Sequence, residues 1–129
     1  MFLPHMSDTG TLQPWEYLEA AAGEYKVGQL LSVSDGKLAA ITEACTTTPP
    51  YLCMSNITVK NGELVPVQRV SKNYIYETQL SAEAAAAKVG TKLQVSAGGM
   101  LADAAATGTF EISFLEATVE GAKVHGRFQ

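Results

Sequence analysis

The chain has 129 residues, enough for one domain with a core of its own. Its net charge is −4 and its nine Lys and Arg are scattered, so it lacks the clustered basic footprint that displaces counterions, and no nucleic-acid partner is expected. A charged fraction of 17% suits a compact β domain rich in Gly, Ala and Thr, and no apolar run is long enough for a membrane helix, so no membrane partner is expected.

The opening Met1-Phe2-Leu3-Pro4 carries neither a cationic region nor a long apolar core, so no signal peptide is expected. Residues 1–13 show no periodicity and read as a flexible N-terminal arm, a frayed tail or a segment that orders on a partner. A single β-rich domain, residues 14–129, follows. Residues 14–22 are read as one or two helical turns with Trp15 and Leu18 on one side, Trp15 lying over the core.

The next stretch is written twice. Residues 27–39 read V-G-Q-L-L-S-V-S-D-G-K-L-A, and residues 89–102 read V-G-T-K-L-Q-V-S-A-G-G-M-L-A. Each predicts a β-hairpin. Leu31 and Val33 alternate with Ser32 and Ser34, and Asp35-Gly36 supplies the positive φ of a tight turn. Two prolines make residues 46–50 a loop between Cys45 and Cys53, which are close enough in sequence to bridge but read first as reduced, partly buried thiols. Strands are expected over 51–59, over 64–70 and over 73–78. Asn61-Gly62 predicts a type I′ hairpin, and Pro66 predicts an edge or a bulge. Ser81 as N-cap, the Ala-rich run to Lys88 and a stop at Gly90 predict one short helix near 81–88.

Phe110, Ile112 and Phe114 alternate with polar neighbours and predict a strand with one core face. Thr118-Val119-Glu120-Gly121 echoes Thr58-Val59-Lys60-Asn61-Gly62, and the last arm echoes residues 65–70 through Arg127 and Arg69. Aligning turns and arginines together needs a one-residue slip, which flips strand faces. The expected fold is mainly β: a small pseudo-symmetric barrel or sandwich of two hairpin-containing half-repeats, about 24–70 and 89–128.

Reactive side chains are sparse. Ser34 and Ser96 belong to alternating strands without a nucleophile elbow. His125 is a lone strand histidine with Glu120 as its nearest candidate partner, and His5 falls in the arm. Asp35, Asp103, Glu111 and Glu116 are too dispersed for a metal cage. No catalytic, cofactor or metal site is therefore expected, and the chain reads as a non-enzyme. Trp15, Arg69 and Arg127 are the candidate partner contacts, because arginine forks match acidic groups bidentately. The alternative reading is a non-enzymatic ligand- or glycan-binding module that stacks sugars on Trp15, Tyr17, Tyr74 and Tyr76.

The order of A-A-G-E-Y-K-V-G-Q (21–29), D-G-K-L-A (35–39), T-P-P-Y (48–51), G-E-L-V-P-V-Q-R-V (62–70), Y-E-T (76–78) and V-E-G-A-K-V-H-G-R-F (119–128) resembles the small capsid cement, or head decoration, proteins of tailed phages and prophages of gut Firmicutes. The last stretch departs from that pattern at Ala122 and Gly126. The resemblance implies a virion structural protein without cofactors, made in the host cytoplasm and added to the capsid exterior. It further implies a homo-oligomer, with a trimer suspected, that clamps the major capsid protein and uses the arm to extend its contacts.

Overall fold

The computed structural model describes residues 1–10 and 12–129, and every regular element among them is a strand. In chain order these are β1 (Leu3–Ser7), β2 (Trp15–Glu19), β3 (Gly23–Tyr25), β4 (Leu30–Ser34), β5 (Lys37–Ala40), β6 (Tyr51–Cys53) and β7 (Ile57–Val59). They continue with β8 (Leu64–Arg69), β9 (Tyr74–Gln79), β10 (Lys92–Val95), β11 (Ala102–Asp103), β12 (Phe110–Leu115) and β13 (Lys123–Phe128). A five-stranded sheet runs β2-β8-β6-β4-β5, a six-stranded sheet runs β1-β9-β13-β12-β10-β11, and β3 pairs with β7.

Both larger sheets curl. A parallel bridge from Ala20 to Leu38 draws the end of β2 to β5, and one from Leu80 to Ala102 draws the end of β9 to β11. Within each sheet, alternation sorts side chains onto two faces. The inner face of the five-stranded sheet buries Leu31, Leu38, Cys53, Val65 and Val67. The six-stranded sheet encloses a larger core with Phe2, Tyr76, Leu93, Phe110, Ile112, Val124 and Phe128. Leu30 and Leu52 pair across β4 and β6 and point away from Leu31, so they pack into this second core and join the sheets. The loop after β10 locks onto that junction, with Leu30 N–H donating to Gly99 O (2.8 Å) and Gly98 N–H to Ile41 O (2.7 Å).

The tight turn at Asp35-Gly36 is as expected: both residues have positive φ (52° and 75°), and Ser34 pairs with Lys37. Elsewhere tertiary structure overrides the local signal. No helix forms at 81–88: Ser81 N–H donates to Ala102 O (2.8 Å) and Ala84 N–H to Thr118 O (2.8 Å), which tie the segment to its neighbours, and Ala87 N–H closes a single turn on Ala84 O (2.9 Å). A seven-residue helix carries an unfavourable nucleus and depends on packing to form at all. Residues 14–22 are not helical either. They contain β2, whose period of two sends Trp15 and Leu18 to opposite faces and leaves Trp15 half exposed instead of lying over the core.

The flexible arm is also corrected. Leu3–Ser7 pairs antiparallel with β9, Phe2 is fully buried, and its N–H donates to Gly28 O (2.9 Å). Burying one Phe side chain contributes about 1.5–3 kcal/mol, enough to offset ordering one or two residues. Asn61-Gly62 makes a type II turn, not I′: only Gly62 has positive φ (88°), and Glu63 N–H closes on Lys60 O (3.0 Å). Pro66 sits in an inner strand. Its carbonyl takes the N–H of Met54 (3.0 Å), so its nitrogen faces the side where β6 has already ended. A bulge between Ile112 and Phe114 breaks the expected alternation and turns Phe114 out of the core, opposite His125.

Candidate functional site

Two surfaces gather chemistry. The first is the open mouth of the five-stranded sheet, a concavity of about 470 Å³ lined by Tyr17, Leu18, Val33, Lys37, Tyr51 and Leu64 among others. Direct pairing of Tyr51 with Arg69 puts both on the inner face, and Glu16 joins them through its pairing with Val67. Arg69 Nη2 lies 3.2 Å from Glu16 Oε1, and its guanidinium stands 5.3 Å from the Tyr51 ring centroid. The hydrogen bond to Glu16 raises the Arg69 pKa further above its ordinary value. Around this charged inner lip the structure exposes large apolar groups: Trp15 (50%), Tyr17 (61%), Leu64 (53%) and Val33 (50%).

The second surface is the outer face of the six-stranded sheet. His125 pairs directly with Glu77, and its Nε2 lies 3.4 Å from Glu77 Oε1. The partner of His125 is therefore Glu77 and not Glu120. Lys123 Nζ reaches the same carboxylate oxygen at 3.4 Å. Chiefly the hydrogen bond from His125, and then that from Lys123, hold the Glu77 carboxyl below the usual carboxylate range against partial desolvation. The His5 ring lies against His125 with centroids 4.3 Å apart, and Phe114 flanks His125 at 5.1 Å. Among the described residues His5, Glu77 and His125 are the trio whose donor atoms converge, all within 4.8 Å of one another.

The three expected contact residues do not meet in one place. Trp15 pairs with Gln68, next to Arg69 in β8, so the two are close in register but on opposite faces of the sheet. Arg127 pairs with Glu111 on the outer face and holds Asp8 through both guanidinium nitrogens (2.7 and 2.8 Å). Arg69 and Arg127 thus face opposite ways and are not equivalent positions, as the one-residue slip implied. Tyr74 and Tyr76 are buried and cannot stack a sugar; the Tyr76 hydroxyl accepts Ser71 N–H (3.1 Å), and burial pushes its pKa up. Ser96 accepts Leu101 N–H within its loop (3.2 Å), and Asp103 accepts Ala105 N–H (2.9 Å). Both cysteines are free thiols that donate to nearby carbonyls, Cys45 to Thr47 and Cys53 to Ser55 (3.1 Å each), and burial pushes the Cys53 thiol up.

The histidine cluster was invisible to sequence reasoning, since His5 lies in a stretch without periodicity and its neighbours arrive from β9 and β13. No known protein family matches the chain, and no curated protein matches it significantly. Among the described residues no helix is long and apolar enough to cross a membrane.

Proposed function

We propose that the chain is a non-enzymatic virion structural protein, a decoration protein that binds the major capsid protein lattice of a phage or prophage from the capsid exterior. The observation that carries this reading is an open concavity with Tyr17, Leu64 and Val33 exposed along its lining, flanked by the exposed Trp15 and by the Arg69–Glu16 pair beside Tyr51. Aromatic anchors beside a paired arginine have the composition of a protein-docking surface. The docking face is this mouth, and the N-terminal segment serves the fold. Many copies on a repeating surface, trimeric in this reading, gain avidity from modest single contacts. Binding the expanded lattice alone stabilises it by mass action.

The same reading takes the domain as a duplicated half-unit with pseudo-symmetry. Its support is register. Leu31–Tyr51 and Tyr51–Arg69 have counterparts in Leu93–Phe110 and Phe110–Phe128, and Leu18–Val65 has one in Thr78–Val124. The closing bridges Ala20–Leu38 and Leu80–Ala102 also match, as do the turn bonds Gly62 N–H to Ala20 O and Gly121 N–H to Leu80 O (2.9 Å each).

Co-sedimentation tests the proposal. The protein is expected to pellet with expanded capsids and to stay in solution with procapsids or free subunits; binding to none of them overturns it. A second reading, glycan binding, draws on Trp15 and Tyr17 standing exposed on one face of β2. Quenching or shift of Trp15 fluorescence by a glycan, without capsid binding, would favour that reading.

A further inference from the structure

We propose that His5, Glu77 and His125 form a binding site for a divalent transition ion of the zinc type, which staples β1 across β9 to β13. This goes beyond capsid docking and uses the outer face of the six-stranded sheet, with none of the residues that line the mouth. The donors come from three adjacent strands in the order β1-β9-β13. With strands about 4.8 Å apart, His5 and His125 start roughly 10 Å from each other. Their rings nevertheless lean over Glu77 and meet at 4.3 Å, tilted by 36°. Two imidazoles and one carboxylate are the donor set that zinc takes in sites with one open coordination position.

Backbone geometry favours this convergence. The β1–β9 ladder has a bulge between Pro4 and Met6, so His5 is the extra residue opposite the step from Tyr76 to Ile75. An unbulged ladder would carry His5 to the level of Ile75, two positions from Glu77. Bulges re-aim side chains in this way. The His125 Nε2 to Glu77 Oε1 separation of 3.4 Å is also the edge expected of a tetrahedron. Ligand bonds of about 2.1 Å at a tetrahedral angle place two donor atoms roughly 3.4 Å apart. His5 has only to close from within 4.8 Å, and it is exposed. Side chains of His125 and Glu77 are only 18% and 24% exposed, and Phe114 walls one side of the imidazole, so two of the three donors are already fixed.

Lys123 is the competitor, since its ammonium occupies the Glu77 oxygen at 3.4 Å. Ion binding must displace it, which gives the proposal a signature that a plain ion pair lacks. The consequence for the fold is local. His5 lies in the strand that follows Phe2, so a bound ion holds the edge strand and the buried Phe2 ring in place together.

The test is calorimetric titration of the full chain, stripped with chelator, with Zn²⁺, together with Co²⁺ absorption and hydrogen exchange. A single bound ion, a tetrahedral Co²⁺ spectrum and slower exchange over Leu3–Ser7 are expected. His5→Ala, at an exposed position that spares the core, is expected to weaken binding at least about tenfold, a loss on the scale of disturbed metal sites. Lys123→Met is expected to tighten it. Zn²⁺ affinity unchanged by His5→Ala, weakened by Lys123→Met, or absent at millimolar Zn²⁺ overturns the proposal.

Discussion

Under the proposed duplication, the two curled sheets end in mouths built from corresponding strands, and the side chains placed there differ. In the five-stranded sheet the inner-face row is Val33, Tyr51, Arg69 and Glu16; in the six-stranded sheet it is Val95, Phe110, Phe128 and Tyr76. The aromatic row is sealed, with Phe2 edge-on to Phe110 (centroids 5.5 Å, 86°) and Leu30 and Leu52 closing over it. The other row is not sealed: Val33 and Tyr51 line the open 470 Å³ concavity, and the Arg69–Glu16 pair stands beside Tyr51. One pattern of strand pairing therefore supports either a sealed core or an open mouth, and the choice is made by a few inner-face residues at the rim.

Deleting an aromatic ring from the sealed mouth is the most drastic way to test the contrast. Phe128→Ala is expected to destabilise by about 3–5 kcal/mol in denaturant titration. Tyr51→Ala at the open mouth is expected to cost well under half of that; equal losses would end the comparison. Next in size is Gly99→Ala. Gly99 has φ +74°, and a Cβ there would stand 2.2 Å from Leu30 O, backbone that has little room to shift. About 3 kcal/mol is expected, read as a fall in midpoint.

Trp15→Ala with Tyr17→Ala sharpens the other side. Unfolding midpoints should hold within about 0.5 kcal/mol, while lattice binding falls by at least about 2 kcal/mol, roughly thirtyfold. The smallest effect is Glu77→Gln in chelator, below about 1 kcal/mol for a partly exposed pair. The folded Glu77 pKa is depressed, so its stabilisation is complete above the unfolded carboxyl pKa of about 4.3. The difference between wild type and variant should therefore shrink as the pH falls below that value and vanish beneath the folded pKa.

What local sequence revealed was where one short segment settles its own conformation. Asp35-Gly36 demands positive φ whatever surrounds it, and the doubled hairpin pattern locates β4, β5, β10 and β11. The Ala-rich run at 82–88 stays non-helical because so short a helix has an unfavourable nucleus, and the segment is instead tied to its neighbours through Ser81 N–H on Ala102 O and Ala84 N–H on Thr118 O. β1 was missed because L-P-H-M-S has no alternation and owes its order to β9 and to Phe2. The bulges at His5 and Ser113 carry no compositional mark, yet they bring His5, His125 and Phe114 together. Of the proposed docking surface, Trp15 and Arg69 were legible as unusual residues. Their shared neighbourhood required the β2–β8–β6 order.

Phe2 and Phe128 rest 5.9 Å apart in the same aromatic cluster, though nearly the whole sequence separates them. Synthesis delivers Phe128 long after Phe2, so this cluster cannot assemble until β13 has been made. The nascent chain must keep a greasy side chain waiting, which implies slow, late maturation and a window in which chaperones have something to hold.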